Sequence, residues 1–345
     1  MIAYPEKIRN EDQLEELLSR PGNELVEMLS QLDGDLLFLG ITGKIGPSLA
    51  MMAARACKKT GVKKRILGVS RHVDTRQLKS FDEAGIETVQ GDLLDAGFLK
   101  TLPALRNVFY LAGMKFGSAG NLPLTWAINS LLPGLVAEHF RKSRIVAFST
   151  GTVYPLVPVS SGGSVETDPP EPAGEYAQSC LGRERMFEYG SNRYKTEVIL
   201  IRLNYAVEMR YGVLTDIALK VLNNIPIDLT MGHFNVIWQG DMNDFVLRSL
   251  GHTGCPAKIL NITGPEILSV REVALEFGRL FGKDPEFIST EAGNALLSNS
   301  SEAFKLFGKP RVPVTILINW IAGWLNEGGR LLDKPTHFEV RNGKY

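Results

Sequence analysis

Neither sign of charge is in excess: 38 Lys and Arg stand against 38 Asp and Glu, a formal net charge of zero. A nucleic-acid binder ordinarily shows a basic surplus or basic runs. The nearest such run, "KKTGVKKR" (Lys58 to Arg65), reads as the solvated end of a helix and its turn. Cysteine is scarce too. Cys57, Cys180 and Cys255 are odd in number, far apart and without a CxxC pair, which argues against a disulfide framework or a zinc site. No apolar run reaches the ~18–20 residues of a membrane span. The start, "MIAYPEKIRNEDQLEELL", lacks the apolar centre of a signal peptide. The expectation is a cytoplasmic, soluble protein with no nucleic-acid or membrane partner and no bound metal.

What is present is ordinary globular composition, 44% hydrophobic and 22% charged over 345 residues, enough for one large or two modest domains. Residues 1–33 carry two leucine-spaced stretches, "EDQLEELLSR" and "NELVEMLSQL", parted by Pro21 and Gly22. They predict two short helices serving as a cap on a later part of the chain. The pattern then changes to short apolar runs: "DLLFLG", "RILGVS", "ETVQGD", "NVFYLAG", "RIVAFST" and "EVILIRLN". Amphipathic stretches such as "LTWAINSLLPGLVAEHFRK" lie between them. Such alternation predicts an α/β fold, a doubly wound parallel sheet. The Pro-, Gly- and Ser-rich segment Pro155 to Glu175 predicts a long functional or mobile loop. Past Asn204 strands thin out, which predicts a smaller second lobe.

"GITGKIG" places Gly40, Gly43 and Gly46 three residues apart, between a strand and a helix. Glycines there permit a tight turn and close backbone approach to a pyrophosphate, and the helix N-terminus offers unpaired N–H groups. Thr42, Lys44 and Ile45 complete this turn. At the tip of the second strand, "GVSRHVD" offers Ser70 and Arg71 but no acid. An acid would bind the ribose of NAD, whereas an arginine accommodates the 2′-phosphate of NADP. NADP is therefore expected over NAD, with Asp74 close enough to leave NAD open.

Further motifs follow in order: "GDLLD" (Gly91 to Asp95), "YLAG" (Tyr110 to Gly113), "WAINSLLPGLV", "AFSTGTVY" (Ala147 to Tyr154), "RLNYAVEMRYG", "QGDMNDF", "NITGPEILSVREVA" and "FGKPRVPV". Together with the glycine turn they resemble an extended short-chain dehydrogenase/reductase of the NAD(P)-dependent epimerase/dehydratase type, over roughly Asp35 to Trp324. The resemblance implies a Rossmann domain over 34–203 with a contribution from about 235–262. It also implies a C-terminal substrate-binding lobe over 204–234 and 263–345, beyond the N-terminal helical extension. It places Asp92, Leu93, Leu111, Ala112, Gly113, Asn129, Ser149 and Asn204 on the cofactor, with Thr150 and Tyr176 as the hydroxyl pair of catalysis. It also implies a homodimer paired through the helices around Trp126 to Arg141 and Glu175 to Tyr189, which carry Leu131, Leu135, Leu181 and Phe187.

The chemistry agrees with those residue types. Hydride transfer to or from a C–OH carbon needs a proton moved on the oxygen. A tyrosine can move it while a neighbouring hydroxyl holds the oxygen. The family motif, however, is Tyr-x-x-x-Lys, and here Tyr176 is followed four residues later by Cys180. A free tyrosine titrates near ~10, so a fixed cation helps it act near neutral pH. Lys115, just after "YLAG", is the favoured substitute; Arg183, two helical turns on, is about 10 Å along the axis and ranks second. Cys180 reads as a small apolar residue rather than a nucleophile.

The resemblance puts Tyr205, Arg210, Tyr211, His233, Asn235 and Trp238 in substrate-facing segments. Aromatic and hydrogen-bonding groups suit a sugar, and Arg210 suits a carboxylate or phosphate. The expected function is an NAD(P)-dependent oxidoreductase or epimerase acting on a hydroxyl or keto group of a small carbohydrate-like molecule. The alternative is a dinucleotide-binding protein without turnover. A dehydratase ranks lower, because no Asp-Glu pair follows Thr150.

Overall fold

The structure, a computed structural model, describes residues 4–72, 74–115, 117 and 120–343. Its centre is a seven-stranded parallel sheet. The strands are β1 (Leu36–Leu39), β2 (Ile66–Ser70), β3 (Ile86–Gln90), β4 (Asn107–Tyr110), β5 (Arg144–Thr150), β6 (Glu197–Leu203) and β7 (Lys258–Ile262). Their spatial order is β3-β2-β1-β4-β5-β6-β7. The order reverses between β1 and β4, where a crevice opens at the carboxyl ends of the strands. This is the doubly wound Rossmann architecture expected from the alternating pattern.

The strands are buried on both faces, which is why they read as unbroken apolar runs rather than alternating ones. In β1, Leu36 and Phe38 face one layer and Leu37 and Leu39 the other. Phe38 and Phe109, register partners, stack at 4.8 Å. The first layer includes α3 (Gly46–Thr60) and α10 (Gln239–Arg248); the second includes α7 (Leu132–His139) and α8 (Gly174–Tyr194).

The two helices of the N-terminal extension go to different places. Leu25 and Leu29 of α2 (Asn23–Gln31) join the core around α3. Leu14, Leu17 and Leu18 of α1 (Glu11–Leu18) join the smaller lobe's core instead, with α9 (Val213–Leu222), α11 (Val270–Phe281) and α13 (Val314–Asn326). The extension therefore contributes to two separate hydrophobic cores.

The long Pro- and Gly-rich segment is stitched down. Val157–Pro158 pairs antiparallel with Asn294–Ala295, and Ser164 bridges to Ser298. Among the described residues no helix is long and apolar enough to cross a membrane.

Candidate active site

The glycine turn lies between β1 and α3, at the crevice. Gly40 has φ 93°, a left-handed conformation that favours glycine. A Cβ there would stand 2.9 Å from the Ala112 nitrogen, and a Cβ on Gly46 would run into the Ile41 carbonyl. Close packing of turn on strand thus requires both glycines. Pro47 occupies the first turn of α3, where its missing N–H costs nothing.

The tip of β2 is tied to this turn: the Thr42 and Ser70 hydroxyls are hydrogen-bonded, and Ser70 Oγ donates to the His72 carbonyl at 3.1 Å. Arg71 and Asp92 are exposed beside it, and Leu93 is buried. Asp74 caps α4 (Thr75–Glu83), accepting from the Gln77 amide at 2.9 Å. One oxygen of its carboxylate is therefore engaged locally.

Beyond the turn lies a cavity of about 350 Å³ reaching to α8. Lys44, Leu111, Gly113, Lys115, Ser149, Thr150, Tyr176, Asn204, Tyr205 and Tyr211 all line it. Residues far apart in the chain therefore meet on one space. Thr150 ends β5, with its Oγ1 3.1 Å from that of Thr152. The charge balance is one-sided: the described lining holds Lys44, Lys115, Arg183 and Lys334, and no carboxylate. Glu208 and Asp216 act on Lys44 from nearby, but Glu208 holds Arg210 and Asp216 accepts from Thr336.

Lys44 crosses from the turn to the far wall. Its Nζ donates to the Ala206 carbonyl at 3.0 Å and lies 3.8 Å from the Tyr211 ring centroid. Burial brings its pKa down to about 7. Lys115 points towards the C-terminal segment, Nζ 3.4 Å from the Thr336 carbonyl, and burial lowers its pKa, opposed by Asp216 and Cys180.

Burial pushes the Tyr176 hydroxyl well above its ordinary value, Cys180 adds to the rise, and the Arg183 guanidinium opposes both. Tyr176 packs against Cys180 in a small cluster with Val153 and Tyr154. Burial likewise raises the thiol, so Cys180 is held as a neutral group. The cation that opposes the rise at Tyr176 is Arg183, whereas Lys115 acts on Cys180.

Arg183 is 6% exposed. Its Nη1 donates to the Phe148 carbonyl at 2.9 Å and its Nη2 to Asn129 Oδ1 at 2.7 Å. Asn129 is fully occupied: it also accepts from the Met114 amide and donates to the Met114 carbonyl and Ser179 Oγ. Expected on the cofactor, Asn129 instead orients Arg183 and the loop after β4. Its placement follows from Pro133, which has no amide for the carbonyl four residues earlier. The helix widens there into a π turn over Ala127–Leu131. Ser149 Oγ donates to Glu184, whose carboxylate is paired with Arg202 at 2.7 Å; that pair is 0% and 1% exposed.

Four residues expected to face substrate do not line this cavity, though Arg210 lines a neighbouring one beside the glycine turn. His233 pairs in a short ladder with Ser269, and Asn235 spans Asn204 and the Ser298 carbonyl. Trp238 packs edge-on against Trp320 at 5.5 Å in the core. Arg210 is held by Glu208 at 3.0 Å and Glu15 at 2.8 Å, so its charge is already met within the protein. Sequence reasoning missed Lys334 and Thr336, which the C-terminal segment brings to the cavity; no local motif marks them.

A sequence profile of the NAD dependent epimerase/dehydratase family matches residues 36–210, about half the chain. The chain belongs to that family. Among solved structures it is similar to MoeE5 in complex with UDP-glucose and NAD, at 19% identity, covering 86% of this chain and 99% of that one, TM-score 0.68. It is also similar to UDP-glucuronic acid 4-epimerase from Bacillus cereus, at 15% identity, 85% and 99% coverage and TM-score 0.71. A third is dTDP-glucose 4,6-dehydratase from Streptomyces venezuelae with NAD bound, at 18% identity, 85% and 97% coverage and TM-score 0.72. At these identities the likeness to the solved structures is one of fold. Comparison with curated protein sequences gives no match.

Proposed function

We propose that this family member is an NAD(P)-dependent oxidoreductase or epimerase acting on a hydroxyl or keto carbon of an anionic carbohydrate, such as a sugar acid or a phosphate-bearing sugar. The observation that carries it is one cavity that brings Thr150 and Tyr176 together with Lys44, Lys115, Arg183 and Lys334. The glycine turn and the N-terminus of α3 fit a dinucleotide: Gly40 and Gly46 leave the backbone bare where a pyrophosphate approaches. The nicotinamide would supply and accept the hydride. Tyr176 would move the proton on the substrate oxygen, Thr150 would hold that oxygen, and Lys115 would face the substrate's charged end.

Exposed Arg71, with Asp74 occupied as a helix cap, favours the 2′-phosphorylated cofactor, although the solved relatives described above carry NAD. Helices α6 (Leu122–Trp126), α7 and α8 expose Leu122, Trp126, Leu131 and Tyr189, which favours a homodimer through these helices. Phe187, fully buried against Tyr110, is not part of that face.

A second reading, dinucleotide binding without turnover, is favoured by Cys180 standing where the family motif has lysine. A panel of sugar acids and nucleotide sugars, read by nicotinamide absorbance, tests the two. With a turned-over substrate, Tyr176→Phe should lower the rate by ~10²–10⁴ while leaving cofactor affinity unchanged. Undiminished turnover in that variant removes Tyr176 from the chemistry, and no hydride transfer across the panel favours the second reading.

A further inference from the structure

The helix that carries Tyr176 also places a complete guanidinium in the protein interior, on the wall of the cavity. Arg183 is anchored at two points, the Phe148 carbonyl and Asn129 Oδ1, and its Nε has no hydrogen-bond partner. Burying such a charge is costly unless it is paired. The neighbouring carboxylate, Glu184, is committed to Arg202 through two bonds. The surroundings are also shaped to admit it. Gly113 has no side chain, and a Cβ there would lie 2.7 Å from Nη2. Cys180, one turn before Arg183 on α8, is small and fully buried. A cation kept at this cost, lining the same cavity as the half-buried Tyr176, calls for a reason beyond packing.

We infer that Arg183 is the positioning residue for Tyr176, supplying from the second helical turn the fixed positive charge that a lysine at position 180 would otherwise supply, and that Cys180 and Gly113 are small in order to admit it. This rests on the reading of Tyr176 as the proton-transfer group. Arg183 acts through the tyrosine: its charge favours the tyrosinate, and its bonds to Asn129 and Phe148 keep that charge in place. The guanidinium cannot release its own proton in the working range, so it serves as a constant field and not as a second acid. Other groups facing this pair are Cys180 and Glu184 on α8, Tyr110 on β4, Tyr211 from the second lobe, and Lys115 from the loop after β4. Of these only Lys115 could mimic the effect, which makes it the control.

The test needs no substrate. Protein carrying tyrosine labelled at the Cζ carbon is saturated with NAD or NADP, and the Tyr176 resonance is assigned with Tyr176→Phe and followed against pH. Arg183→Met should raise its midpoint by about one unit or more, or move it beyond the accessible range. Arg183→Lys should raise it less, and Lys115→Met should leave Arg183's effect intact. Because a buried arginine can be needed for folding, Cys180→Lys/Arg183→Met moves the cation back one turn and should restore the wild-type midpoint. Equal midpoints in wild type and Arg183→Met, no Tyr176 titration in either, or a double variant that leaves the midpoint raised overturns the inference. Failure of the functional reading looks different: the titration would depend on Arg183, yet Tyr176→Phe would turn over normally.

Discussion

The Lys44 ammonium sits 3.8 Å above the Tyr211 ring while donating to the Ala206 carbonyl, so one side chain of the glycine turn spans the cavity to the second lobe. With its pKa brought down to about 7 by burial, Lys44 is mostly neutral one pH unit higher. A pyrophosphate arriving at the turn favours the charged form. Cofactor binding at about pH 8 should therefore take up close to one proton. Calorimetry in two buffers of different ionisation enthalpy measures that uptake. It should vanish in Lys44→Met, and uptake unchanged in that variant would place the proton elsewhere.

Arg71 stands exposed where β2 ends, and Asp74, three residues on, caps α4. Calorimetry should show NADP binding tighter than NAD. Arg71→Ala should weaken NADP by about tenfold, the ~1–3 kcal/mol of a charge-assisted contact, and leave NAD nearly unaffected. Equal or tighter binding of NAD by the wild type would count against the 2′-phosphate reading alone.

The Glu184–Arg202 pair is almost wholly buried. Arg202→Met leaves a carboxylate in the core and should cost about 3–5 kcal/mol in chemical denaturation. Glu184→Gln/Arg202→Met should recover much of that loss. A single variant as stable as wild type would show that water reaches the site.

Leu131 and Tyr189 are 58% and 60% exposed on helices that pack together. Light scattering at micromolar concentration should report a dimer mass, and Leu131→Glu should shift it towards monomer. A monomer mass for the wild type would refute the pairing.

How legible the site was depended on distance along the chain. The glycine turn could be read directly, because Gly40 and Gly46 answer to local geometry. The strands could be read because burial on both faces leaves unbroken apolar runs. Rise along the helix axis alone sets Arg183 about 10 Å from Tyr176. Side chains tilt towards the helix N-terminus, however, and a long one reaches back over the preceding turn. Arg210 looked like a substrate ligand because nothing nearby in sequence reveals Glu15, almost two hundred residues earlier, as its partner. His233 and Trp238 were placed by segment, and only their strand and core contacts show that they face away from the cavity.

Glu11, on the N-terminal extension, lies within 3.5 Å of Arg76, 3.8 Å of Arg210 and 3.7 Å of Arg330. Those arginines lie on α4, just before α9 and just after α13. Exposed contacts of this kind contribute little each, on the order of 0–1 kcal/mol, and weaken with salt. Their common point makes α1 a tie between three distant segments of the chain. Salt competing for that one carboxylate would loosen all three contacts together.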